Sequence, residues 1–114
     1  MSVGVSDSVL PAWVDKSRIE SEVKKAIGDL GSFSSLRSYP QEVVRPLTVV
    51  CIDVRLNYAG KRPFATTNFG MDEESLALPA AEMQAILDAR LADAILSLQE
   101  LIFGEIIALY RARR

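Results

Sequence analysis

The hydrophobic residues near the beginning of the chain follow a helical period. Their spacing is four, four and three residues, with charged residues at most of the positions between them: Ile19, Val23, Ile27 and Leu30. Apolar residues three and four positions apart share one face of an α-helix. The pattern therefore predicts an amphipathic helix. We expect it to begin in a capping box at residues 17–20, formed by Ser17 and Glu20, and to end at Gly28 and Gly31, the latter as a left-handed cap.

The pattern changes twice after this helix. Residues 32–46 are rich in serine and contain Pro40 and Pro46, so we predict a loop here, with Val43 and Val44 as a short edge strand at most. Residues 47–58 alternate between apolar and polar side chains, which is typical of a strand with one face in a core.

A turn at residues 59–62 and a second strand at residues 63–69 complete a predicted β-hairpin that ends at Gly70. Two strands are only marginally stable in water, so the hairpin needs a helix, a third strand or another subunit. The polar residues 71–75 are predicted to connect it to the last element.

The last element is a helix that begins near Leu78 and Pro79 and continues toward Arg114, interrupted only by Gly104. About 35 helical residues would measure roughly 50 Å, which exceeds the diameter of a domain of this size. We therefore expect either a break near Gly104 or a distal half that packs on something else. The predicted fold is α+β, in the order helix, hairpin, long helix.

One broad apolar stripe on this helix suits the hairpin and the first helix. It consists of Met83, Ile86, Leu87, Leu91, Ala94, Ile95, Leu98, Leu101, Ile102, Ile106 and Leu109. A second row, here called the outer ridge, lies roughly opposite the stripe in the distal half and consists of Leu96, Phe103, Ile107 and Tyr110. A monomer with one other helix cannot bury both rows.

We therefore predict a homo-oligomer, most simply a two-fold dimer in which the outer ridge and Gly104 lie close to their own copies. Glycine inside a helix costs about 1 kcal/mol relative to alanine, and close helix approach or a break would each account for Gly104. The alternative is that the first helix and the N-terminal residues cover the outer ridge within one chain.

Composition limits the chemistry. The 114 residues are 49% hydrophobic and 25% charged, as in globular proteins, and we expect one domain at residues 11–114 after a mobile tail at residues 1–10. The net charge of −2 does not favour binding to nucleic acid or anionic lipid. Acidic residues in the last helix argue against a membrane span.

The chain contains no histidine and a single cysteine, Cys51. Histidine-dependent catalysis and the usual Cys/His metal sites are therefore excluded, and no cofactor or metal is expected. One cysteine and the absence of a signal-peptide pattern favour the cytoplasm. No short catalytic motif is present.

Our leading hypothesis is a non-enzymatic homo-oligomer that binds or positions a macromolecular partner, as an accessory, assembly or inhibitory subunit. One alternative is a small-ligand binder or cofactor-dependent enzyme with a pocket between the hairpin and the helices. Its polar groups would be Asp53, Arg55, Tyr58 and Glu105, and we expect Glu105 to need a partner because it lies inside the apolar stripe. Another alternative is a small phage or virion structural component.

Overall fold

The computed structural model describes residues 10–42, 46–57 and 64–112. Its elements are α1 (Lys16–Ile27), a 3-10 turn (Gly28–Leu30), β1 (Gly31–Glu42), β2 (Pro46–Leu56), β3 (Phe64–Asp72), the four-residue α2 (Glu73–Leu76) and α3 (Ala80–Ala112). The strands form an antiparallel sheet in the order β1-β2-β3. The α+β class and the hairpin are confirmed, whereas the N-terminal residues 1–9 and the strand proposed at Val43 and Val44 lie outside the described residues.

The core lies between one face of the sheet and the helices α1 and α3. The alternation in β2 sends every second side chain into this core, namely Val50, Ile52, Val54 and Leu56. The opposite face, here called the open face, carries Asp53 and Arg55 together with Val49 and Cys51, which are buried but do not belong to the core cluster. The helices therefore leave a mainly polar sheet surface on the other side.

The largest correction concerns residues 31–42, which form the edge strand β1 where a loop was predicted. An irregularity in the register between Phe33 and Ser35 leaves Ser34 unpaired, so that Phe33 and Leu36 face the core although they are three residues apart. Pro40 is accommodated because an edge strand needs hydrogen bonds on one side only.

Both ends of α1 differ from the prediction. The N-cap is Asp15, whose carboxylate accepts a hydrogen bond from the backbone N–H of Arg18 at 3.1 Å, and the capping box at Ser17 is wrong. At the other end Gly28 has φ 56° and ψ −128°, so the glycine with a positive φ is Gly28, in a conformation that residues other than glycine rarely adopt. Gly31 is extended instead, and a Cβ there would lie 2.6 Å from the backbone oxygen of Arg55.

The strand β3 continues past Gly70 to Asp72, further than the hairpin prediction allowed. Asp72 is also the N-cap of α2, where its carboxylate accepts hydrogen bonds from the Ser75 N–H at 3.2 Å and the Ser75 hydroxyl at 2.7 Å. Arg90 on α3 donates to the same carboxylate at 3.1 Å. These contacts lower the pKa of Asp72 well below its usual value, Ser75 and Arg90 contributing most.

The helix α3 is continuous through Gly104 over its 33 residues. Its length of about 50 Å matches the longest dimension of the molecule, 52 Å. Its buried residues lie on one side and pack on the sheet and α1: Leu87, Leu91, Ala94, Leu98 and Ile102. Among the described residues, no helix combines the length and the apolar character needed to cross a lipid bilayer.

Candidate interaction surface

The outer ridge lies on the side of α3 that faces away from the sheet. Its exposed fractions are 54% for Leu96, 49% for Phe103, 51% for Ile107 and 71% for Tyr110. Neighbouring residues of α3 belong to opposite sides of the helix: Ile102 is 1% exposed and lies in the core, whereas Phe103, the next residue, belongs to the outer ridge. Four large apolar side chains at helical spacing thus form one continuous exposed row, which is the kind of patch that marks an interaction site.

Gly104 lies beside this row and is exposed. Apart from its chain neighbours and the backbone of its own helical turns, no atom of the described chain comes within 4 Å of the place where a Cβ would stand, and α3 does not break there. Packing within the described chain therefore does not require a glycine at this position, although glycine costs a helix about 1 kcal/mol relative to alanine.

The two sides of the outer ridge differ. On one side α1 runs along α3, where the Gln99 amide donates to the Ala26 backbone oxygen at 2.9 Å and Arg18 forms an ion pair with Asp88. Hydrogen bonds from Gln84 and Arg18 lower the pKa of Asp88. On the other side lies a row of exposed residues, here called the free flank, which consists of Asp93, Glu100, Gly104 and Arg111.

Asp53 is the centre of a polar cluster on the open face. Its carboxylate accepts hydrogen bonds from the hydroxyls of Ser35 at 2.8 Å and Thr66 at 2.7 Å, and from Arg37 at 3.0 and 3.3 Å. Partial burial raises the pKa of Asp53, but the hydrogen bonds from Thr66, Ser35 and Arg37 outweigh it, so the pKa lies below its ordinary value. The cluster joins all three strands.

The other polar residues proposed for a ligand site do not converge with Asp53. The Arg55 guanidinium lies 5.9 Å from the centre of the Phe64 ring, a cation–π arrangement at the end of the open face. Tyr58 lies outside the described residues. Glu105 lies between α3 and the sheet and lines a pocket of about 240 Å³ together with Leu56, Phe64, Ala65, Thr66 and Leu101. The pocket adjoins the open face at Phe64 and Thr66, but Asp53, Arg55 and Glu105 do not form one site.

Ser35 and Arg37 were missed as partners of Asp53 because residues 32–42 were predicted as a loop. Thr66 lay in a predicted strand, but the register that places it beside Asp53 was not predicted. A shallow pocket of about 300 Å³ where α1 ends and β1 begins was also missed; it is lined by residues that include Glu20, Lys24 and Asn57. The described residues contain no group of three potential side-chain ligands of the His, Cys, Asp or Glu type that could hold a metal ion.

Comparison with known proteins adds no family to this description. No protein-family model matches the chain, and neither the curated proteins nor the solved structures include a significant match. Function is therefore inferred from the surfaces of the molecule.

Proposed function

We propose that the chain is a non-enzymatic protein that self-associates, most simply as a two-fold dimer, and that binds or positions a macromolecular partner. The observation that supports self-association is the outer ridge, whose four members are between 49% and 71% exposed along one helix face. Burying apolar surface contributes about 25 cal/mol per Å², so a second copy that removes this row from water stabilises the associated state. A two-fold axis allows each copy to cover the other with the same residues.

The perturbed carboxylates favour a structural role over a catalytic one. Asp53 links the three strands, Asp72 caps α2 and contacts Arg90, and Asp88 joins α3 to Arg18 of α1. Each lowered pKa is accounted for by hydrogen bonds from neighbouring side chains, and for Asp88 the largest contribution comes from Gln84 of the same helix; such shifts are the usual effect of structural contacts.

Sedimentation or light scattering over a range of concentrations tests self-association. We expect Phe103→Glu to remain folded, because half of the side chain already faces solvent, and to be monomeric where the wild type is dimeric. Ala81→Glu is the matched control, since it places the same charge on an exposed position of α3 far from the outer ridge. A wild type that stays monomeric at high micromolar concentration contradicts the proposal.

For the macromolecular partner we propose the open face of the sheet. Tyr39 and Phe64 are 42% and 49% exposed there, beside Arg37 and Arg55, and aromatic and arginine residues are common at interfaces. Affinity purification from native cells should recover a partner with the wild type and with Phe103→Ala. The partner should be lost with the double variant Tyr39→Ser, Phe64→Ser. Recovery of the same partner by the double variant would place the contact elsewhere.

The pocket at Glu105 supports a second candidate function, the binding of a small ligand. It is lined mainly by apolar residues, with Glu105 as its acidic residue and with Thr66, whose hydroxyl already donates to Asp53, which suits a small and largely apolar molecule. A thermal-shift screen tests this candidate, because a ligand that binds the folded state raises Tm, and Leu101→Trp should abolish the shift by filling the pocket.

A further inference from the structure

We infer that two copies meet through α3 in antiparallel orientation, crossing near Gly104, with Arg111 of one copy beside Glu100 and Asp93 of the other. This inference rests on the self-association proposed above and specifies its geometry. It is carried by the position of α1, the charges of the free flank, and the space at Gly104.

The first step is steric. Asp88 and Gln99 lie on the same side of the outer ridge, about 60–80° around the helix from Leu96 at about 100° per residue. That side is occupied by α1, which both residues contact. Along residues 88–99, a second helix can therefore reach the outer ridge from the front and from the free flank, and not from the side of α1.

The second step is the symmetry of a helix pair. When two identical helices pack in parallel around a two-fold axis, the left side of one faces the right side of the other. When they pack antiparallel, each side faces its own copy. Only the antiparallel pair therefore brings the free flanks together, whereas the parallel pair directs each free flank at the side that α1 occupies.

The third step is charge. The free flank carries Asp93 and Glu100 in its first part and Arg111 at its end, all of them exposed. In an antiparallel pair the cation of one copy lies beside the acids of the other, twice by symmetry. In a parallel pair the acids meet the side of Asp88 and Gln99, where α3 offers no cation within the described residues and Arg18 of α1 is already paired with Asp88.

Gly104 fixes the register. An antiparallel crossing at this residue places position 104 + n beside position 104 − n, so Arg111 falls level with Ser97, about one turn from both Asp93 and Glu100. The empty space around its Cβ position lets the two backbones approach closely, with Phe103 and Ile107 packed around the crossing.

The area indicates a weak dimer. Taking roughly 200 Å² for a large exposed side chain, the exposed fractions of the outer ridge correspond to roughly 450 Å² of mainly apolar surface per copy. Two copies thus bury about half of the standard protein interface, which is typical of reversible association. We expect a dissociation constant in the micromolar range.

A charge exchange tests the pairing. Arg111→Glu should weaken the dimer at least about fivefold, because it places a carboxylate beside Glu100 and Asp93 of the other copy. Adding Glu100→Arg should restore the affinity. Lys24→Glu on α1 is the control, because it changes the net charge equally at an exposed site away from the outer ridge. Gly104→Leu should weaken the dimer at least about tenfold and leave the monomer folded, since nothing lies near its Cβ.

The orientation is measured with a spin label at Ala92→Cys, combined with Cys51→Ala to remove the native thiol. Ala92 is exposed and lies 12 residues before Gly104. The antiparallel pair separates the two labels by about 36 Å along the helix axes, whereas a parallel pair holds them at about the interhelical distance of 8–10 Å.

The outcomes separate the two proposals. A long distance with restored affinity in the double charge variant supports the inference. The antiparallel geometry is overturned, and self-association is not, if the dimer depends on Phe103 but the label distance is short. The same holds if the dimer affinity does not change in the charge-exchange variants. A monomer at every concentration, as expected if residues 1–9 or another protein covers the outer ridge, overturns both.

Discussion

Asp53→Asn is the substitution for which the structure allows the most detailed prediction. The side chain is 16% exposed and accepts hydrogen bonds from Ser35, Arg37 and Thr66. Asparagine keeps the size of the side chain but removes its negative charge and turns one acceptor into a donor. One hydroxyl must then rotate to accept, and the ion pair with Arg37 is lost.

The expected cost follows from these contacts. Hydrogen bonds to a charged group contribute about 1.5–3 kcal/mol, whereas a neutral bond contributes about 1 kcal/mol. The ion pair is worth little more than about 0.5 kcal/mol, because half of the Arg37 side chain is exposed. Since asparagine retains part of the network, we expect the free energy of unfolding to fall by about 1–2 kcal/mol, or Tm by about 5–10 °C.

Urea unfolding at neutral pH, followed by circular dichroism, measures this loss. Asp29→Asn is the control, because it removes the same charge from an exposed carboxylate. The difference between wild type and Asp53→Asn should also depend on pH. The folded pKa of Asp53 is lowered, so its contribution is fully present above about pH 4, the unfolded pKa, and is lost as the pH falls through the folded pKa.

Two results would refute this reasoning. If Asp53→Asn is as stable at neutral pH as Asp29→Asn, the cluster does not hold the strands together. If the loss at neutral pH persists undiminished at about pH 2, it arises from the changed shape of the side chain and not from the carboxylate charge.

Three further predictions concern other parts of the fold. Leu98→Ala should lower the free energy of unfolding by about 3 kcal/mol, because Leu98 is 0% exposed. Leu96→Ala should lower the free energy of unfolding of the monomer by less than about 1 kcal/mol, because Leu96 is 54% exposed. Equal losses for the two variants in urea titrations would contradict this. Gly28→Ala should cost about 1 kcal/mol because of the positive φ, so an unchanged Tm would argue against that conformation. The free energy of unfolding falls between about pH 5 and about pH 2, in part because Asp72 becomes protonated. Arg90→Met should make this fall smaller, because the pKa of Asp72 in the folded state is then lowered less strongly. An unchanged pH dependence would show that Arg90 does not stabilise the Asp72 carboxylate.

The sequence predicted the elements whose hydrophobic period is strong. The spacing in α1, the alternation in β2 and the stripe on α3 each reflect burial on one side, so the pattern and the structure report the same physical fact. The exposure of the outer ridge could be predicted from the same period, because α3 has more apolar residues than one side of a helix can bury in the core of a single chain.

The strand β1 was missed because an edge strand with one covered face needs few apolar residues. Phe33 and Leu36 are its main contributions to the core, and the unpaired Ser34 between them breaks the alternation that identifies strands. Its other stabilising contacts are hydrogen bonds to β2. The local sequence pattern of residues 31–42 does not indicate this pairing. The Asp53 cluster was missed for the same reason, because it exists only once three strands are placed side by side.

The buried residues of α3 lie in its middle, between Leu87 and Ile102, and this gives the middle and the C-terminal end of the helix different dynamics. Among the α3 residues whose burial the structure describes, Ile102 is the last buried one, after which Glu105 and Ile106 are half-buried and Ile107, Tyr110 and Arg111 are exposed. Backbone amides near Leu91 and Leu98 should exchange with deuterium only through global unfolding, whereas those after Ile106 need only local fraying of the helix end. A partner on the outer ridge would slow exchange in this last segment most, so one continuous helix contains a boundary between two cooperative units.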